Sequence, residues 1–182
     1  MARVPYLDEK DLKDADKDIL KRPINLHRGL AHSVDGARAF GDIGAWIRYG
    51  AKLDPKLREL VILQVGWLAR SPYEWSHHVK IGKDFGLTDA DIEAVKLESA
   101  GKTTDLPPLY RAGLKGAREM ANAGAMSAET YALIAADLDH ERMVELVMVI
   151  AFYCGVVRLL ASLGIDVEAN YQSHLDAHPL PE

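Results

Sequence analysis

Helix start signals at Asp54-Pro55 and Ser71-Pro72 bracket a stretch that is apolar on almost every side, and this constrains the fold more than any other feature. Asp and Ser cap helices through their side-chain oxygens, and proline fits the first helical position, where no N–H is needed. Between them lie Leu57, Leu60, Val61, Leu63, Val65, Trp67 and Leu68. A helix with no polar face runs through a core. A second apolar run, the twelve residues Leu146 to Val157 between Glu145 and Arg158, sits behind an Asp139 cap. It is shorter than the ~20 residues a bilayer span needs, so it reads as a second buried helix, and no membrane partner is expected.

Runs of alternating β-branched residues between tight turns are missing, so the chain is expected to be all-α. Further helices are read over Leu26 to about Gly50 with a break near Ser33–Asp35, over Thr88 to Ala100, Leu109 to Ala123, and Ser127 to Asp137. Asp8 to Arg22 is charged, with Leu12, Ala15 and Ile19 at helical spacing, and reads as a solvated N-terminal helix ended by Pro23. Gly101 to Pro108 reads as a linker, and the tail from His174 to Glu182 as loose or packed on a partner. The 182 residues suit one domain. Glu59-Leu-Val-Ile-Leu63 echoes Glu145-Leu-Val-Met-Val149, a faint hint of a repeated helix unit.

Composition narrows the function. The net charge of −5 without a Lys/Arg cluster argues against a nucleic-acid partner. The single cysteine, Cys154, excludes an intramolecular disulfide framework, a CxxC pair and a cysteine-rich zinc site. HExxH is absent, and Glu74-Trp-Ser-His77 is the one Glu-x-x-His, whereas a di-iron bundle needs two. No metal or cofactor is therefore expected. No apolar leader opens the chain, so a cytoplasmic location is expected.

Glu59 is the first residue out of place, because its helical neighbours are Ile62, Leu63 and Gly66. Desolvation there would raise its pKa toward the range useful for proton transfer, unless it pairs with Arg58 or another arginine. His78 shares a face with Trp75, Ile81, Gly82 and Phe85, so it points inward, either as a core histidine or as a site residue. His77 shares its face with Lys80 and Asp84 and is expected to meet solvent. Glu74 is four residues before His78 and can orient it, yet it also holds the third position after Ser71, where a capping carboxylate bonds back to the cap. The free N–H groups behind Ser71 form a natural anion site. Trp46, Tyr49, Trp67, Tyr73, Trp75 and Tyr153 read as core aromatics, some able to line a pocket.

Leu53 to Leu63, Glu74 to Val79 and Gly86 to Glu93, with Asn25 to His32 upstream and Val144 to Leu160 downstream, resemble the carboxymuconolactone decarboxylase and alkylhydroperoxidase D superfamily over about residues 24 to 167. The resemblance implies an all-α fold that assembles into trimers or hexamers. Its peroxidase branch carries a glutamate, then cysteines twelve and fifteen residues on, then a histidine at nineteen. Counting from Glu59, those positions are Ser71, Glu74 and His78, so both thiols are replaced. Peroxide reduction by disulfide cycling needs an attacking and a resolving thiol. The decarboxylase branch implies thiol-free acid/base chemistry on a small lactone or organic acid. On that reading His78 is the acid or base, Glu59 its partner, Glu74 a second orienting carboxylate, and Ser71, Tyr73 and His77 the supporting wall. A peroxide-reducing protein using Cys154 and a non-catalytic ligand-binding scaffold are the alternatives.

Overall fold

The computed structural model describes residues 2–181 and contains helices and loops, with no strand among the described residues. The order is α1 (Asn25–Leu30), α2 (Val34–Ala45), α3 (Pro55–Leu68), α4 (Pro72–Asp84), α5 (Asp89–Ser99), α6 (Pro108–Ala123), α7 (Ala128–Ala135), α8 (His140–Leu163) and α9 (Gln172–Ala177). The start signals act as read. The side chains of Asp54, Ser71, Ser127 and Asp139 each accept a backbone N–H in the first turn of their helix, and Thr88 and Asp91 close a reciprocal capping box. Gly124 and Gly164 end α6 and α8 with φ of 85° and 64°, where a side chain would be strained.

Helix α3 is central, and every residue from Leu57 to Gly66 is buried. One side, Leu57, Val61, Ile62 and Val65, packs on Leu146, Val149, Ile150 and Tyr153 of α8. The other, Leu60 and Leu63, packs on Trp75 and Val79 of α4, Ile92 and Val95 of α5, and Leu114 of α6. Helix α8, at 24 residues, is long and apolar enough to cross a membrane by length and composition only, and here it is the second wall of this core.

Two expectations are corrected. The segment before Pro23 is not an α-helix but two 3₁₀ stretches, Glu9–Asp11 and Asp14–Leu20. Only Leu20 is buried there, and the carboxylates of Asp8, Asp16 and Asp18 are drawn onto Arg28 and Arg38, so no apolar stripe organises longer turns. The C-terminal tail packs on its own chain. The carbonyl of His178 accepts the Trp75 indole N–H at 2.6 Å, and Leu175 and Leu180 lie against the second core cluster. The two echoing glutamates do different work: Glu145 accepts the backbone N–H groups of Lys52 and Leu53, both at 2.8 Å, and so fixes the entry to α3.

Candidate active site

The turn from α3 into α4 takes three residues, Ala69 to Ser71, with Arg70 at φ 47° and the Ser71 N–H on the Gly66 carbonyl. The helices return side by side. A Cβ on Gly66 would sit 3.4 Å from the Trp75 nitrogen and 3.6 Å from Glu74, and one on Gly82 would sit 3.6 Å from the Glu59 Cβ. These are ordinary contact distances, and they place the two helices against each other where the polar residues meet.

The meeting is a buried chain of charges. Glu59 Oε1 accepts Arg58 Nε at 2.8 Å, and Oε2 lies 2.7 Å from His78 Nδ1. His78 Nε2 lies 2.9 Å from Glu74 Oε1. Exposure is 1% for Glu59, 3% for Glu74 and 4% for His78. Two cations against two carboxylates balance, which is the condition for burying them together. The Arg58 guanidinium also reaches the Arg48 carbonyl at 3.0 Å and covers the Phe85 ring. Burial alone would lower the His78 pKa, but Glu59 and Glu74 overcome it and raise it to about 9. Burial alone would raise that of Glu59, but the charges and hydrogen bonds of His78 and Arg58 bring it below the usual carboxylate value.

Of the alternatives left open for Glu59, pairing with Arg58 is the one the structure has, and the rise in pKa expected otherwise is corrected to a fall. Glu74 does not bond back to the Ser71 backbone, because that N–H is already taken by Gly66, and its carboxylate is free to hold His78. His78 is a bridged imidazolium with both nitrogens engaged, so Glu74, whose Oε2 has no partner among the described residues, is the member of the chain left for a ligand.

Glu74 and His78 line a cavity of about 770 Å³ with Tyr73, His77, Tyr153, Phe152, His27 and the α2 residues Ala37, Phe40, Gly41, Gly44 and Ala45. That volume is in the range of small-molecule sites. Arg22 and Arg48 also line it and make no ion pair among the described residues, whereas Arg38 is tied to Asp16 and Asp18. Burial, together with the charges of Arg22 and Arg48, lowers the His27 pKa against the pull of the Arg22 carbonyl, so this ring is neutral. Ser71 is not part of the lining, so the expected anion site at its helix start does not open into the cavity, and positive charge comes from the arginines instead.

His77 does not meet solvent. It is buried, stacked between Tyr73 and Tyr171 at 4.1 Å and 3.6 Å between centroids, and bonded to Glu168 at 2.7 Å. Glu168 also accepts the Tyr73 hydroxyl and the Asn25 N–H, which joins α1 to α4. Burial lowers the His77 pKa more than Glu168 raises it.

Residues 35–100, which contain Glu59, Ser71, Glu74 and His78, match the carboxymuconolactone decarboxylase family. The alkylhydroperoxidase AhpD core of an uncharacterized peroxidase-related protein from Ralstonia eutropha JMP134 has the same fold, with a TM-score of 0.80 at 18% identity over 93% of this chain and 94% of that one. The family match covers about a third of the chain, and the structural likeness extends over nearly all of it. A cysteine-to-alanine variant of the debrominase Bmp8 in complex with 2,3,4-tribromopyrrole shares the fold as well, with a TM-score of 0.80 at 18% identity over 97% and 99% of the two chains. No curated protein matches it in sequence. At the two positions where the resemblance expects thiols, the structure has a helix cap, Ser71, and a cavity carboxylate, Glu74. Cys154 is half-buried on α8 outside the cavity lining, and burial pushes its thiol up.

The sequence reading misses Arg22, Arg48, His27 and Glu168, and it gives Tyr153 only as one of six core aromatics of which some could line a pocket. The arginines and His27 lie on segments that reach the cavity only through the folding of α1 and α2 over α4, and no local spacing signals that.

Proposed function

We propose that this protein is a thiol-independent enzyme that moves protons on a small organic acid, lactone or related carbonyl compound, by isomerisation or decarboxylation. The observation that supports the reading is the Glu59–His78–Glu74 chain, buried at one end and open at Glu74 to a cavity carrying two unpaired arginines. Arg22 and Arg48 attract the anionic group of the substrate. Glu74 exchanges a proton with the substrate carbon. The His78 imidazolium donates to Glu74 and steadies its charge, and Glu59 with Arg58 holds the ring in place. His78 is thus a positioning residue and Glu74 the catalytic one, a change of roles from the one the sequence suggested. Assembly into identical copies and a cytoplasmic setting belong to the same proposal. A solution mass of one chain, 20.1 kDa, would refute the assembly.

The test is a panel of γ-lactone carboxylates and β-keto acids, followed by NMR in deuterated water for C–H exchange and by carbon dioxide release. Turnover by the wild type, abolished in Glu74→Gln with folding retained, is expected. Full turnover in Glu74→Gln, or no turnover of any compound by the wild type, overturns the reading. The peroxide-reducing alternative predicts instead that Cys154→Ser removes a dithiol-dependent peroxidase rate.

A further inference from the structure

Tyr153 stands on α8 across the cavity from α2, with its ring edge-on to the His78 imidazole at 5.0 Å between centroids and 82° between planes. It is 7% exposed. Its hydroxyl has no hydrogen-bond partner among the described residues, and it is not sealed away, because Arg58 Nη2 is the buried side-chain atom that lacks both a partner and any exposure. The contrast with other tyrosines is direct: Tyr73 gives its hydroxyl to Glu168, Tyr6 to Asp166 and Tyr110 to Asp54. A hydroxyl removed from bulk water and left unpaired costs free energy, and nothing in the packing of α8 requires one where a phenylalanine ring would fill the same space. Burial first, then the charges of Glu74 and Glu59, push the phenol far above its ordinary value, so it remains a neutral donor.

We infer that Tyr153 is a second catalytic residue, the hydrogen-bond donor that meets the substrate oxygen gaining negative charge as Glu74 handles the carbon. The inference rests on the proton-transfer reading above. When Glu74 takes a proton from the carbon beside a carbonyl, the C–H electron pair moves into the carbon framework and the carbonyl oxygen becomes an enolate. Tyr153 bonds to that oxygen and keeps its own proton. Return of the proton from Glu74 to carbon restores the carbonyl. In a decarboxylation the C–C pair takes the same route as carbon dioxide departs, the carbon then takes a proton from water relayed by Glu74 while the hydroxide joins the carbon dioxide as bicarbonate, and the same oxygen needs the same donor. A donor aimed at developing charge lowers the barrier without tightening the ground state.

The test is Tyr153→Phe in the full chain, with kcat, KM and thermal midpoint measured on whichever panel compound the wild type turns over. The expected result is a loss of about 10²-fold in kcat, KM within a few-fold, and a thermal midpoint that is unchanged or higher, since the variant removes an unpaired hydroxyl. Full kcat in Tyr153→Phe while Glu74→Gln is inactive overturns this inference alone. A lower midpoint with activity falling in step overturns it in favour of a structural hydroxyl. Full activity in both variants, or no wild-type turnover, refutes the proton-transfer reading and this inference with it.

Discussion

Glu59 is the case where a residue's neighbours in sequence mislead about its charge. Ile62, Leu63 and Gly66 along α3 describe a desolvated carboxyl, and burial does push it toward neutrality. The two groups that reverse the sign come from the adjacent residue, Arg58, and from a residue nineteen positions away, His78. Removing one partner of such a pair leaves a buried uncompensated charge, at a cost of about 3–5 kcal/mol. His78→Gln is accordingly expected to lose stability of that order, measured by urea unfolding at pH 7. The pH dependence follows from both members. The folded His78 value, about 9, lies above its ordinary 6.5, so its contribution is complete below about 6.5 and is lost as pH rises through about 9. The folded Glu59 value lies below its ordinary 4.5, so its contribution is present above that value and fades as pH falls through the lower folded one. Unfolding midpoints are expected to fall toward both limits, and His78→Gln to lose the alkaline fall. An alkaline limb retained in the variant would remove His78 as its source.

At the scale of elements, α4 and α2 show opposite designs. Helix α4 is pinned: Ser71 caps it, Trp75 and Val79 are buried, and His78 is held from both sides. Ser71→Ala should destabilise by about 1 kcal/mol through loss of the cap while leaving catalysis at folded sites intact, because Ser71 is outside the cavity lining. Helix α2 has no buried residue, and its cavity-side stripe runs through Ala37, Gly41 and Gly44, with Arg48 on the helical turn Trp46–Gly50 that follows it. A Cβ added at Gly41 or Gly44 would meet nothing within 4 Å, so the packing does not require glycine there. Gly44→Ala is expected to stabilise the fold by about 0.5–1 kcal/mol, read as a higher denaturant midpoint. Gly44→Leu should also fold but narrow the cavity, so KM for ring-bearing compounds should rise while kcat changes less. An unchanged KM would place ligands away from the α2 wall.

For the molecule as a whole, the C-terminal segment closes the structure. Tyr171 covers His77, Glu168 ties α1 to α4, and His178 receives the Trp75 N–H. Deleting residues 172–182 should lower stability by roughly 2 kcal/mol through the lost burial of Leu175 and Leu180, and should shift Trp75 emission to the red. Unchanged emission would mean that the tail does not cover Trp75 in solution. This closure also explains what the sequence concealed. The tail contains Pro179 and Pro181 and reads as loose or packed on a partner, yet one indole N–H and two leucines hold it to its own chain. His77 was placed toward solvent for the same reason: Lys80 and Asp84 are exposed on its own helix, but the wall over it arrives from residues 168–171.

The helices themselves were legible because their causes are local. Asp54, Ser71, Thr88, Ser127 and Asp139 each act within one turn, and the all-round apolar character of Leu57 to Val65 requires a central helix wherever the rest goes. The same locality made Glu59, Glu74 and His78 visible as polar residues on inward faces. Their protonation states, the turning of Glu74 from its cap to His78, and the cavity with Arg22, Arg48 and Tyr153 were decided only by tertiary structure. Charge–charge energies and desolvation depend on distances through space: the groups that set the protonation states meet only when α3 and α4 pack side by side, and the cavity residues Arg22, Arg48 and Tyr153 come from segments that no spacing along those two helices encodes.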